Sequence, residues 1–218
     1  MMMPRNRKPA RPRDATATRE VLLDAATLVF AEQGFAGARV DEIATRAGVN
    51  KALIYAYYGD KKGIYRAVLA AHLREFTAAE FSETVLAERG PRRALEDLVR
   101  RYLRMLIQDR PFARLVAWEF LSHAGEGRKL ILEGADPFLE LITDLVKRGR
   151  AAGELRPSMD PELFRSAVVS LGIGYTVQHS AMVLAREQRG VEYTDEQFVD
   201  YAIRLLVERD EVPARRSA

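Results

Sequence analysis

Cysteine is absent from this 218-residue chain, which excludes disulfides, thiolate zinc sites and thiol nucleophiles, and suits a reducing compartment. Histidine is scarce: His72, His123 and His179 lie far apart and show no metal-ligand spacing. No apolar run approaches the ~20 residues of a membrane-spanning helix. The basic start, Met1 to Arg13, has no apolar stretch behind it and does not read as a secretory leader. The expectation is a cytoplasmic protein without a membrane partner. Catalytic signatures are missing too: no nucleophile elbow, phosphate loop, metal motif or paired carboxylates occur. A non-enzyme with no cofactor is expected. Strand-like alternation is also missing, so the class is all-α.

What is present begins with a core-forming composition, 48% hydrophobic, which argues against wholesale disorder. The net charge of +3 is unevenly placed. Residues 1–62 hold eleven Lys or Arg against seven Asp or Glu, and the rest hold twenty-three against twenty-four. The positive excess therefore sits at the N-terminal end, where it suits a polyanion or forms a solvated basic tail.

Next to that charge lies Val40–Tyr65, which reads as two short helices joined by a tight turn and followed by a third helix. Val40, Ile43, Ala44 and Ala47 share a face at helical spacing. Gly48 supplies a left-handed stop, and the Asn50 side chain can cap a helix over Lys51–Tyr58. Two helices around a short Gly-containing turn make a helix-turn-helix, whose second helix enters the DNA major groove.

Residues 1–13 read as a flexible basic arm, able to touch phosphates or the minor groove, or else inert. Ala15–Gln33 reads as an amphipathic helix with Val21, Leu22, Ala25, Leu28, Val29 and Phe30 on its apolar stripe, Asp14 or Thr16 as its cap and Gly34 as its end. After the cap Asp60, helices are expected over Lys61 to about Ala87, Pro91 to about Gln108, Phe112–Ser122, Lys129–Ala152 with a kink near Gly134–Pro137, Pro161 to about Arg186, and from Asp195 onward. Thr194 and Gln197 form a capping box for the last. About nine helices result. They are divided into a helix-turn-helix domain over 14–60, a ligand-binding and dimerisation bundle over 61–210, and a flexible tail over 211–218.

The segment from Arg19 to Leu69 is similar to the TetR family of bacterial transcription regulators. The resemblance rests on Phe30-Ala31-Glu32-Gln33-Gly34-Phe35, on Ile43-Ala44 with Ala47-Gly48-Val49, and on Ile54-Tyr55 with Tyr57-Tyr58 and Lys61. It covers about a quarter of the chain. It implies a homodimeric repressor that binds a palindromic double-stranded operator, with the last two long helices pairing across a two-fold axis. It also implies a small-molecule effector, held among the middle helices, that releases the operator. Arg39 stands where a Ser or Thr often caps the second helix, and Leu53 where a small or hydroxylated residue is frequent.

For DNA, Lys51 is expected on phosphate or a guanine edge, and Asn50 beside it as cap. Ala52 and Leu53 would face bases, although Leu53 has the option of turning inward. Tyr57 would be exposed near a base edge or phosphate, and Tyr55 would reach phosphate through its hydroxyl. Arg39 and Lys61 would bind backbone on either side, Lys61 at a helix N-terminus that favours phosphate. Tyr58 reads as core. For the effector, the aromatic and polar-tipped residues of the middle helices suggest a pocket formed by His72, Tyr102, Met105, Phe112, Trp118, Glu119, His123 and Tyr175, against the alternative of ordinary core packing. For the dimer, the expected contacts are Leu171, Gly174, Gln178, Phe198, Tyr201, Ala202 and Leu205. Gly172 and Gly174 make sense where another helix approaches closely, or equally where the helix bends.

Overall fold

The computed structural model describes residues 12–77, 89–122 and 125–207. The expected effector residue His123, most of the N-terminal arm and the 211–218 tail lie outside them. The described residues form nine α-helices and no strand.

The first helix, α1, spans Pro12–Gly37. Leu22, Ala25, Ala26, Val29 and Phe30 are buried at three- and four-residue intervals. Val21 and Leu28, expected on that stripe, are 45% and 43% exposed, because the buried face centres on Ala26. Asp14 and Thr16, expected as its cap, lie within the helical span. Gly34 does break the helix, with φ 67° and ψ 176°, and one further turn follows it.

The next two helices are α2, Val40–Ala47, and α3, Ala52–Tyr58. Between them Gly48 takes φ 66°, ψ 26°, and Val49 N–H donates to the Ala44 carbonyl at 3.0 Å. Asn50 Oδ1 accepts from Ala52 N–H at 2.8 Å. Helix α4, Lys61–Thr77, is capped by Asp60, whose Oδ1 accepts from Gly63 N–H at 2.7 Å.

The bundle follows as α5, Pro91–Gln108; α6, Arg110–Leu121; α7, Arg128–Ala151; α8, Pro161–Arg189; and α9, Asp195–Val207. Asp109 caps α6 by accepting from Phe112 N–H at 3.1 Å. Asp160 caps α8 through Glu162 and Leu163 N–H at 3.0 and 2.9 Å. Both bonds of the Thr194–Gln197 capping box form, at 2.7 and 3.1 Å. Helix α7 continues through Pro137 without interruption, where a kink was expected.

Two hydrophobic cores result. One joins α1–α4 to Phe112, Leu115 and Val116 of α6 and Ile131 of α7. The other fills the space between α5, α7, α8 and α9. The boundary drawn at 60/61 therefore runs through a single core, because α4 and α6 complete the head's hydrophobic interior.

Gly172 of α8 faces α5: a Cβ there would lie 2.8 Å from both Tyr102 and Leu106. The close approach it permits is within this chain. Helix α9 is clamped onto α5 by Arg100 to Asp200 at 2.5 Å and by both Arg100 and Arg104 to Glu196. Its first residue, Asp195, accepts from the Tyr175 hydroxyl at 2.7 Å.

Candidate nucleic-acid interface and effector cavity

Helix α3 buries Ile54 completely and turns Lys51, Ala52, Tyr55 and Ala56 outward. That face is short, with small residues between a cation and a phenol, so backbone and bases can come close. Ala56 belongs to it and escaped the sequence reading, although its place four residues after Ala52 signals it. Lys51 Nζ pairs with Asp41 at 2.9 Å, both side chains being mostly exposed. The hydrogen bond to Asp41 holds the ammonium above its usual range. Arg39 is exposed at the α2 N-terminus and gives no side-chain cap.

Other expected DNA contacts are placed differently. Leu53 is half-buried and packs inward on the head's core, so it does not stand free to meet bases. Tyr57 is also half-buried, with the Arg19 guanidinium 4.9 Å from its ring centroid, instead of exposed. Tyr58 donates from its hydroxyl to the Arg19 carbonyl at 3.3 Å. Lys61 lies over the Phe35 ring at 4.7 Å and donates to the Ala36 carbonyl at 3.3 Å. Burial there lowers its ammonium pKa, and Lys61 is half-buried at the head's surface. Beneath this surface, Glu32 with Arg46 at 2.8 Å and Gln33 with Glu42 at 2.7 Å tie α1 to α2.

A cavity of about 90 Å³ lies among α4–α8. Tyr102, Met105 and Phe112 line it as expected, and Tyr102 supplies the only oxygen or nitrogen among the lining side chains. Tyr102 stacks on Phe138 at 5.0 Å, and burial raises its phenol pKa. Phe120 and Leu132, both nearly half exposed, stand at its edge.

Four residues expected in this cavity are elsewhere. His72 bridges helices: Nδ1 lies 2.6 Å from Asp109, Nε2 3.3 Å from Thr27 Oγ1, and its ring stacks on Phe112. Tyr175 is buried against Phe198, ring centroids 3.6 Å apart, and burial first, then its bond to Asp195, raises its pKa. Trp118 points away from the cavity to α1, where Nε1–H donates to the Ala31 carbonyl at 3.2 Å. A Cβ on Gly34 would lie 3.1 Å from the Trp118 ring. Glu119, 2% exposed, accepts from the Tyr65 hydroxyl of α4 and from Gly127 N–H at 2.7 Å. Burial, then this carboxyl group, pushes the Tyr65 phenol well up. Their polar tips suggested ligand contacts; each tip instead finds a partner on another part of the chain, as buried polar groups must.

The expected dimer residues also divide. Gln178, Tyr201 and Leu205 face outward, and Gly174 faces space in which a Cβ would meet only Gln178 at 4.0 Å. Leu171 and Phe198 pack inward on the bundle core, and Ala202 is 1% exposed. Ala202 cannot meet a partner, because α9 lays that side on its own chain. By length and composition α8 also suffices to cross a membrane, contrary to the expectation that no such run exists. One side of it, including Phe164, Val168 and Tyr175, is nevertheless part of this core. Among the described residues no three His, Asp or Glu groups are placed to hold a metal.

A helix-turn-helix head with an outward short helix, joined through a shared core to a helical bundle containing a cavity, is the architecture of a DNA-binding regulator of transcription. Residues 22–68 match the family described as bacterial regulatory proteins, tetR family. Residues 91–197 match the tetracyclin repressor-like C-terminal domain. The HTH-type transcriptional repressor NicS of Pseudomonas putida is 30% identical over 149 residues, covering 67% of this chain and 69% of NicS. The HTH-type transcriptional repressor SCO4008 of Streptomyces coelicolor is 51% identical over 57 residues, 26% of this chain and 30% of that protein. The fold matches the transcriptional regulator FadR from Bacillus subtilis, solved in complex with stearoyl-CoA, with a TM-score of 0.67 at 21% identity over 87% of this chain and 97% of that one. The chain belongs to the tetR family of bacterial regulatory proteins.

Proposed function

We propose that two copies of this chain bind a palindromic operator through α3 and release it when an apolar effector enlarges the cavity among α4–α8. The observation that carries the DNA reading is the outward face of Lys51, Ala52, Tyr55 and Ala56 on the net-basic part of the chain. Lys51 exchanges Asp41 for a phosphate or a guanine edge, Ala52 and Ala56 allow close approach, and Tyr55 offers its hydroxyl. Arg39 and Asn50 flank them.

The apolar lining favours an effector with an aliphatic or aromatic body. Ligand pockets typically measure about 300–1,000 Å³, so an effector must enlarge this one. The stearoyl-CoA bound to FadR supports a long apolar chain as one candidate. Helix α6 is the wall that transmits the change. Phe112, Val116 and Phe120 line the cavity, while Trp118 and Glu119 hold α1 and α4. Displacing α6 shifts both attachments of the head.

The dimer face is a stripe on α8: Leu163, Ala167, Ser170, Gly174, Val177, Ala181 and Leu184, spaced alternately by four and three residues. Such spacing keeps a seam toward a partner helix, and all seven are exposed or half-buried in the single chain. Tyr201 and Leu205 of α9 extend it.

Selection of bound sequences from random DNA tests the reading, and a palindromic consensus is expected. Each phosphate contact contributes about −0.9 to the slope of log K against log salt, so Lys51→Ala flattens the slope by ~2 for the two copies. An unchanged slope and affinity would remove Lys51 from the DNA surface.

A further inference from the structure

A second cleft lies on the other side of α6 from the apolar cavity. It runs between α6 and α8 and encloses about 360 Å³. Arg110, Arg114 and Trp118, four residues apart along α6, form one wall, and Thr176, His179 and Ser180 belong to the other. Arg110 is already engaged: its guanidinium lies 3.1 Å from His179 Nε2 and 3.3 Å from Asp195. Asp195 also takes the Tyr175 hydroxyl and lies 3.2 Å from His179. Arg114 is exposed and has no ion pair or hydrogen bond among the described residues. One guanidinium of the cleft is thus bound directly by Asp195, whereas the other has only the charge of Glu32 on α1 nearby, without a hydrogen bond or ion pair to it. The remaining surface is apolar: the Trp118 indole is 41% exposed, with Ala117 and Leu121 beside it.

We propose that this cleft is a binding site for a small monoanion with a flat apolar body, its carboxylate on Arg114 and its body against Trp118. Arg presents a planar fork that fits a carboxylate in two parallel hydrogen bonds, and the Ser180 hydroxyl lies on the opposite wall as a further donor. The cleft volume falls within the range of small-ligand sites. The site is separate from the apolar cavity, because Phe112, Val116 and Phe120 face that cavity from the opposite side of α6. The regulatory consequence rests on the α6 coupling proposed above: Trp118 is the residue that docks α1 under Gly34. A body stacked on its outer face bears directly on the joint of the DNA-binding head.

Trp118 is the only tryptophan of the chain, so its emission reports this cleft. The full-length protein is titrated with benzoate and with its neutral isostere benzamide. A saturable change in emission is expected with benzoate, and binding at least about tenfold weaker with benzamide and with Arg114→Ala. Arg114→Lys is expected to recover part of the loss. Val169→Phe, which fills the apolar cavity from α8, leaves benzoate binding unchanged. No saturable change, equal binding of the amide, or a loss confined to Val169→Phe would overturn the site. Should Val169→Phe fail to fold, the charge dependence across benzoate, benzamide and Arg114→Ala decides alone. Operator affinity is measured separately: benzoate that binds with this charge dependence yet leaves DNA binding unchanged upholds the site and overturns the coupling.

Discussion

At the residue scale, the neighbours Trp118 and Glu119 carry the coupling proposed for α6. They lie side by side on α6 and reach different helices, Trp118 to Ala31 of α1 and Glu119 to Tyr65 of α4. The indole docks where Gly34 takes φ 67°, a conformation that residues with a Cβ rarely adopt. Gly34→Ala combines that strain with a Cβ 3.1 Å from the indole. It is expected to destabilise by roughly 1–2 kcal/mol in urea unfolding, as Ala does where φ is positive. Wild-type stability would mean that α1 and Trp118 can separate freely. The sequence marked Trp118, Glu119, His72 and Tyr175 as residues of interest but assigned them to a pocket. Residue type shows that a polar tip needs a partner. It does not show which neighbouring helix provides it, and Glu119 meets Tyr65 from fifty-four positions away.

At the element scale, the legible features were those whose cause is local. Gly48, Asn50, Asp60, Asp160 and the Thr194–Gln197 box each act within a few residues of a helix end, and all were readable. Facing is not local. Gly172 and Gly174 look alike in sequence, yet one admits α5 and the other faces open space. Ala202 and Tyr201 are adjacent, yet one is buried and the other 60% exposed. The proposed dimer stripe of α8 would also account for its membrane-like composition, since a helix covered by its own core on one side and a second copy on the other is apolar on both. Val177→Asp places a charge at the centre of that stripe. Sedimentation is expected to show monomers where the parent dimerises, with operator affinity falling together with dimerisation. A variant that stays dimeric at the same concentration would move the interface elsewhere.

At the scale of the whole molecule, α6 gives Phe112, Leu115 and Val116 to the head's core while bordering the bundle, so the head and bundle are expected to unfold together. Their shared tyrosines predict an alkaline limit. Tyr65, Tyr102 and Tyr175 all have phenol pKa values raised above the ordinary 10.0, chiefly by burial. The unfolded chain loses these protons near pH 10 while the folded chain keeps them. Above that pH the unfolded state binds fewer protons, and stability falls as pH rises. Urea unfolding between pH 9 and 11 (roughly, around the phenol range) is expected to show this decline, and Tyr65→Phe to make it shallower. A flat profile would mean that these phenols are not protected by folding.

The ion pairs that hold α9 against α5 have a consequence for how two copies assemble. Arg100 and Arg104 grip Glu196 and Asp200 within one chain, and Tyr175 secures Asp195 at the first residue of the helix. Helix α9 is therefore fixed beside α8 before any partner arrives. In the proposed dimer two rigid halves would meet with little left to order, which lowers the entropic cost of association and disfavours exchange of α9 between copies.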